Sequence, residues 1–199
     1  MSRQEKKRKT RRMIIDAAFR LLDEKQTLSS ISLREVARAA GIAPTSFYRH
    51  FNNIDELGLT LVDEAGMALR QLMRQARIEI ASGTGIINTS VDTFMLFTCD
   101  QSNVFRLMLR EHAGTSVAFR AAVSREIQHF IDELSDYISE GSNVPADYAF
   151  LQAEAMVKLV FSAGAEGLEA DQAQRVILAN RLKKQLLFIA KGADALKPR

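Results

Sequence analysis

Ser32-Leu33-Arg34-Glu35-Val36-Ala37-Arg38-Ala39-Ala40-Gly41-Ile42-Ala43-Pro44-Thr45-Ser46-Phe47-Tyr48-Arg49-His50-Phe51 is the stretch on which the reading of this 199-residue chain turns. Ser32 and Glu35 have the spacing of a capping box, in which the serine oxygen accepts from the Glu35 N–H and the carboxylate reaches back. A short helix therefore starts at Ser32 and carries Leu33, Val36 and Ala37 inward, until Gly41 supplies a left-handed C-terminal residue. Pro44 then stands where a first helical position prefers it, and Thr45 to Phe51 form a second short helix. Helix, glycine turn, helix is the helix-turn-helix arrangement, whose second helix enters the DNA major groove. Phe47 and Phe51, four apart, should pack inward.

The flanks extend the pattern. Upstream, Met13, Ile14, Ala17, Ala18, Leu21 and Leu22 lay one apolar stripe along a helix from about residue 10 to 25. Downstream, either Asn52 or Asn53 can cap a long helix with Leu57, Leu61, Ala65, Ala68, Leu69, Leu72 and Ala76 at helical spacing. It should run to about Ala81, roughly 40 Å at 1.5 Å per residue, and end at Gly83 and Gly85. Further helices are expected at about 86–99, 104–112, 117–139, 146–167 and 172–190, separated by polar and glycine-bearing turns. No segment alternates apolar and polar residues long enough to argue a strand. The expected fold is all-α: residues 1–53 form a basic arm and a three-helix DNA-binding domain, and residues 54–199 a helical regulatory and dimerisation domain.

Charge separates the two parts. Residues 1–12 hold seven Lys/Arg against Glu5 alone, and residues 1–50 hold twelve basic against five acidic residues. With a total of +3, residues 51–199 carry 3 − 7 = −4. A basic segment ahead of a folded module suits a polyanion, because neutralised phosphates release counterions. The single cysteine, Cys99, cannot close an intramolecular disulfide, and one cysteine with three histidines leaves little for a structural zinc site. Asp16 and Arg20 interrupt what a signal peptide would need, and no apolar run approaches membrane-spanning length, so a cytoplasmic protein without membrane insertion is expected. No enzyme is expected. Glu126-Ile127-Gln128-His129 is the lone Glu-x-x-His where a di-iron bundle needs two, and Gly83-Thr84-Gly85 lacks the third glycine of a dinucleotide loop. No Gly-x-Ser-x-Gly elbow is present. Neither metal nor cofactor is expected.

The segment 32–51, followed by Asp55-Glu56-Leu57, resembles the DNA-binding domain of TetR-family transcriptional regulators. Asp55 to Thr60, Leu69 to Ala76 and Phe119 to Phe130 are also similar to members of that family that repress unsaturated fatty acid synthesis. The resemblance implies a homodimer on a palindromic operator in double-stranded DNA. It further implies a repressor whose DNA affinity is modulated by long-chain acyl thioesters on coenzyme A or acyl carrier protein. A drug or another hydrophobic small molecule is the alternative effector.

Groups at and just after Pro44 should point into the groove, with Thr45 and Ser46 near base edges or phosphates and Arg49 on the outer face. The resemblance implies phosphate contacts from Tyr48 and His50, and from Ser32 and Arg34 at the start of the preceding helix. Most of the family carries a lysine where this chain has Ile54, so more of the phosphate contact is expected from Arg8, Lys9, Arg11 and Arg12, with Lys7. The arm is expected to track the DNA backbone or enter the minor groove.

In the body, Phe94, Met95, Phe97, Phe105, Met108, Phe130, Met156 and Phe161 are the candidate walls of a tunnel for an acyl chain, since methionine and phenylalanine repack around flexible apolar ligands. Arg106 and Arg110, with Arg120, are candidates for the thioester and phosphate end. Ala153, Ala155, Ala163, Gly164, Ala165 and Gly167 would let another helix approach closely. Val176, Ile177, Leu182, Leu186, Leu187 and Ile189 supply a second apolar face for a dimer. Two recognition helices would then reach half-sites about 34–36 Å apart.

Overall fold

The computed structural model describes residues 2–22, 26–78, 84–142 and 144–196. Among them every regular element is a helix: α1 (Arg3–Leu21), α2 (Leu33–Ala39), α3 (Pro44–Phe47), α4 (Ile54–Ile78), α5 (Thr84–Asp100), α6 (Ser102–Ala113), α7 (Val117–Ser142), α8 (Ala146–Glu169) and α9 (Gln172–Ala195). The all-α expectation holds. Two compact units emerge. One contains the chain up to Gly66 together with Asn103–Val123, and the other Met67–Ser102 together with Ser124 onward.

Within the first unit, α2 and α3 form as the local sequence requires. Ser32 Oγ accepts from Glu35 N–H at 3.3 Å while Glu35 Oε2 takes the Ser32 N–H at 2.8 Å, closing the capping box. At the other end Gly41 has φ +69°, with its N–H donated to Arg38 O at 3.1 Å and the Ile42 N–H to Ala37 O at 3.0 Å. That is a Schellman closure, which needs a left-handed residue. Pro44 opens α3, whose regular helix stops at Phe47, earlier than the span to Phe51 expected from sequence. The chain continues in tight turns that still place Phe51 N–H on Phe47 O at 3.1 Å, so both rings reach the core, centroids 5.6 Å apart. Of the two asparagines ahead of α4, Asn53 is the cap: its Oδ1 accepts from Glu56 N–H at 2.8 Å.

Three expectations need correction. The basic arm is helical: α1 begins at Arg3, because Ser2 and Glu5 form a capping box of their own. Gly85 lies inside α5 rather than ending α4, while Gly83, residues 23–25 of the first helix and residues 79–81 of the long one lie outside the described residues. The boundary after residue 53 also moves. Leu57, Leu61, Val62 and Ala65 of α4 are buried in the first unit's core with Ile14, Ile15, Val36, Phe47 and Phe51, as are Phe105 and Met108 of α6. Ties across the unit bear this out: Asn103 Nδ2 donates to Phe19 O at 3.3 Å, and Arg110 to Gln26 O at 3.1 Å.

The second unit is built on the mutual packing of α5, α8 and α9. Four of the six small residues named on α8 serve this packing, contrary to the expectation that they face another molecule, while Ala155 is exposed and Ala165 half-buried. Ala153, Ala163, Gly164 and Gly167 are all buried within the chain. A Cβ at Gly167 would lie 3.0 Å from Met95 Cε of α5 and 3.7 Å from Leu178 Cδ2 of α9. Leu182 and Leu186 are likewise buried. Apolar residues that remain exposed on the two helices include Phe150, Leu151, Ala155, Ala173, Val176, Ile177 and Phe188.

Candidate DNA-binding surface and ligand cavity

In the first unit, the residues expected to meet DNA divide by how their polar groups are used. Pro44, Thr45, Tyr48 and Arg49 are exposed along and just after α3, with Ser46 half-buried. Tyr48 stands 61% exposed, its ring edge-on to Phe47 with centroids 6.0 Å apart, so a buried ring holds up an open phenol. Arg34 is exposed on the first turn of α2. Ser32 is also exposed, but its hydroxyl proton goes to Glu35 Oε2 at 2.7 Å and its N–H to the same carboxylate. With Glu35 in this position, Ser32 has no proton to give a phosphate, and the phosphate contact implied for it is not preformed. Those bonds from Ser32 also hold the Glu35 carboxyl below its ordinary pKa.

Regular helix along α1 fixes where the basic residues point. Lys6, Lys7, Arg8 and Lys9 are exposed. Arg11 turns inward instead: its Nη1 donates to His50 O at 2.8 Å, Nη2 reaches Thr60 Oγ1 at 3.5 Å, and the guanidinium lies 4.1 Å above the Phe51 ring. Arg12 is held by Asp16 at 2.8 Å and Glu64 at 2.9 Å. Of the four arm cations named from sequence, Arg8 and Lys9 are thus exposed, while Arg11 and Arg12 brace α1 against the turn after α3 and against α4.

His50 is half-buried, and its Nδ1 is buried with no hydrogen-bond partner among the described residues. Burial, followed by the positive charges of Lys7, Arg11 and Arg49, pushes its pKa below the usual histidine value. The ring is therefore neutral near pH 7 in the absence of DNA.

In the second unit a cavity of about 400 Å³ opens between helices, walled by Leu69 and Met73 of α4, Ile86, Ile87 and Phe94 of α5, Phe130, Leu134, Tyr137 and Ile138 of α7, Met156, Val157, Val160 and Phe161 of α8, and Leu186 of α9. Ser90, Gln152 and Arg77 supply polar groups. That volume lies in the range of small-molecule sites. Burial disfavours the Arg77 charge, and Glu133 and Tyr137 oppose that effect.

Comparison with known proteins finds a family likeness in part of the first unit. Residues 14–61 match the family of bacterial regulatory proteins called the tetR family. Those residues are similar to the domain that defines that family. The fold of the wider chain agrees: a TetR-family transcriptional regulator from Streptomyces coelicolor is similar over 92% of this chain and 95% of its own, at 17% identity and a TM-score of 0.72. The fatty acid degradation regulator FadR from Bacillus halodurans is similar over 89% of this chain and 94% of its own, at 16% identity and a TM-score of 0.70. FadR from Bacillus subtilis, solved in complex with stearoyl-CoA, is similar over 87% and 96%, at 16% identity and a TM-score of 0.66. At these identities the likeness is one of fold.

With the TetR-type fold in place, the ligand residues expected from sequence sort cleanly. Phe94, Phe130, Met156 and Phe161 meet at the cavity, the last three across α7 and α8, with the Phe130 and Phe161 rings edge to face at 6.0 Å. Met95 and Phe97 are buried in the second unit away from its wall, since α5 turns them towards other neighbours. Phe105 and Met108 belong to the first unit's core, and Arg106, Arg110 and Arg120 to the first unit as well, because α6 and the start of α7 pack there. These arginines are not at the cavity. Arg110 binds Gln26 O and Arg120 binds Gly114 O at 2.7 Å. Sequence reasoning passed over Arg77, although a signal existed: Leu69, Met73 and Arg77 fall at i, i+4 and i+8, a cation on an apolar stripe.

Among the described residues no helix is long and apolar enough to cross a membrane.

Proposed function

We propose that this chain is a homodimeric repressor of unsaturated fatty acid synthesis genes, of the FabR type, whose affinity for a palindromic operator is set by a long-chain acyl thioester. The observation that carries the reading is the coexistence, in one chain, of a segment similar to the TetR-family domain and an apolar cavity of about 400 Å³ in a separate helical unit. Each methylene buried contributes about 0.8 kcal/mol, so an apolar slot binds an acyl chain with few polar contacts. The stearoyl-CoA held by a protein of the same fold supports that ligand class. The choice of genes rests on the residue patterns at 69–76 and 119–130.

Dimerisation is supported by the exposed apolar side chains of α8 and α9, Leu151, Val176, Ile177 and Phe188, which a second copy would cover. Coupling would run through α4. Its turns at Leu57 and Leu61 are core to the DNA-binding unit, and its turns at Leu69, Met73 and Arg77 wall the cavity. A ligand shifts DNA affinity only by its preference between two states of that helix, a coupling of about 1–3 kcal/mol.

The test is a titration of purified protein onto promoter DNA of an unsaturated fatty acid synthesis gene, with scrambled DNA as control. It is repeated with saturated and cis-unsaturated acyl-CoA and with acyl carrier protein thioesters. Specific binding shifted differently by the two chains is expected. Specific binding indifferent to every thioester would overturn the ligand and turn attention to a drug-like effector. Absence of specific binding would overturn the repressor.

A further inference from the structure

Arg77 sits where an apolar cavity meets an ion cluster that is short of negative charge. Among the described residues, the Glu133 carboxylate of α7 faces three guanidiniums of α4. Arg74 takes both of its oxygens, with Nη2 to Oε1 at 2.8 Å and Nε to Oε2 at 3.1 Å. Arg70 reaches it at 3.4 Å and pairs more closely with Glu126, the second carboxylate of the cluster. Arg77 is left with the longest contact, 4.0 Å, and lies 5.5 Å from the centroid of the Tyr137 ring. Three arginines therefore share two carboxylates, and Arg125 Nε adds to the positive side at 4.0 Å from Glu126, with His129 Nδ1 at 3.7 Å from the same carboxylate. Asp132 of α7 is engaged with Gln128, and Asp136 and Glu140 are exposed to solvent.

The cation served worst is the one that lines the cavity, and its side chain is only 10% exposed. A buried, weakly paired guanidinium is costly unless an anion completes it, and its planar fork suits two oxygens. Among the charged residues described, Arg77 stands alone on that wall. The geometry points to Arg77 as the residue that reads the head of the ligand, selecting an apolar chain with an anionic oxygen-bearing end over a neutral lipid of the same length. The assignment rests on the cavity being the ligand site, as proposed above, and adds what its occupant must carry. That chemistry has two sources: the carboxylate of a free fatty acid, or the phosphate-bearing head of an acyl-CoA. An anion seated here joins the α4 arginine that Glu133 holds at the longest distance, so head recognition and helix position act on the same residue.

The experiment measures binding of palmitate, palmitoyl-CoA and uncharged methyl palmitate to full-length protein, and to the Arg77→Met and Arg77→Lys variants. Methionine fills similar volume without charge, and lysine keeps the charge. Wild type is expected to bind at least one anionic ligand at least about tenfold tighter than the methyl ester. Arg77→Met should abolish that preference while leaving methyl ester binding within about twofold, and Arg77→Lys should restore part of it. The tighter of palmitate and palmitoyl-CoA identifies the source of the head. Methyl ester binding by Arg77→Met reports its fold independently. An undiminished preference in Arg77→Met overturns the assignment and leaves the acyl-ligand reading standing. If wild type binds none of the three, both fall.

Discussion

Arg11 and His50 are 39 residues apart in sequence, yet Arg11 Nη1 donates to the His50 carbonyl at 2.8 Å. Through that bond a residue of the basic segment ends up setting the position of the chain just after α3, where Tyr48 and Arg49 face outward. Arg11 also covers the Phe51 ring, so its charge sits over a π face as well as on a carbonyl. The bond separates two kinds of arginine that a charge count cannot distinguish.

Arg11→Met should therefore destabilise the protein by about 1–2 kcal/mol, the sum of a charge-assisted hydrogen bond and a partly buried cation–π contact. Arg8→Ala, at an exposed position, should stay within about 0.5 kcal/mol of wild type. Urea denaturation ranks the two. On DNA the order of interpretation reverses: Arg8→Ala should lower the slope of log K against log salt by about 1, the signature of one lost phosphate contact.

His50 makes a pH prediction with a definite sign. Its folded pKa lies below the unfolded value, so between the two the unfolded chain binds more protons and stability rises with pH. Acidification from about pH 7 through the ordinary histidine value near 6.5 should cost stability, levelling off once the folded form also protonates. His50→Gln should flatten this part of the profile. Thermal melts at half-unit steps from pH 7.5 to 5 check it, and equal slopes in wild type and variant would contradict the assignment.

Gly41→Ala tests the turn. A Cβ there would meet nothing within 4 Å, so the whole penalty is conformational, from holding φ +69° with a side chain. That should cost about 1–2 kcal/mol. Because α3 follows immediately, the same variant should bind operator DNA more weakly even at temperatures where it is fully folded. Circular dichroism and a DNA titration at 15 °C separate the two effects.

The exposed face of α8 and α9 yields a prediction on assembly. Ile177, 68% exposed in the single chain, should be buried in the dimer, and Ile177→Glu should shift the protein to monomer in sedimentation at micromolar concentration. DNA affinity should fall by at least tenfold, since each half-site then binds alone. Ala173→Glu, one turn earlier and also exposed, maps how far the interface extends.

Local chemistry was legible in the residues themselves. A serine three before a glutamate, a glycine at the helix exit and a proline at the next entry define α2, the turn and α3 through contacts no more than five residues apart. The apolar period of 3.6 likewise exposed the later helices, because it depends only on which side of a cylinder must avoid water. The start of α1 was also local, in Ser2 and Glu5, but the density of like charge concealed it.

Partner choice between helices was not legible, because apolar periodicity says that a face is buried without saying against what. Phe105 and Phe130 look alike in sequence, yet α6 carries the first into the first unit's core and α7 places the second on the cavity wall. Gly167 of α8 packs against Met95 of α5 and Leu178 of α9, and Ala153, Ala163 and Gly164 are buried with it, while Leu151, Val176, Ile177 and Phe188 stay exposed. Arg11 and Arg77 were decided the same way, one joined to a carbonyl 39 residues on and the other left under-paired at a cavity. Secondary structure follows from energies within a few residues; which side chains share a site follows from how several helices divide one core, and that is settled only when the chain has packed.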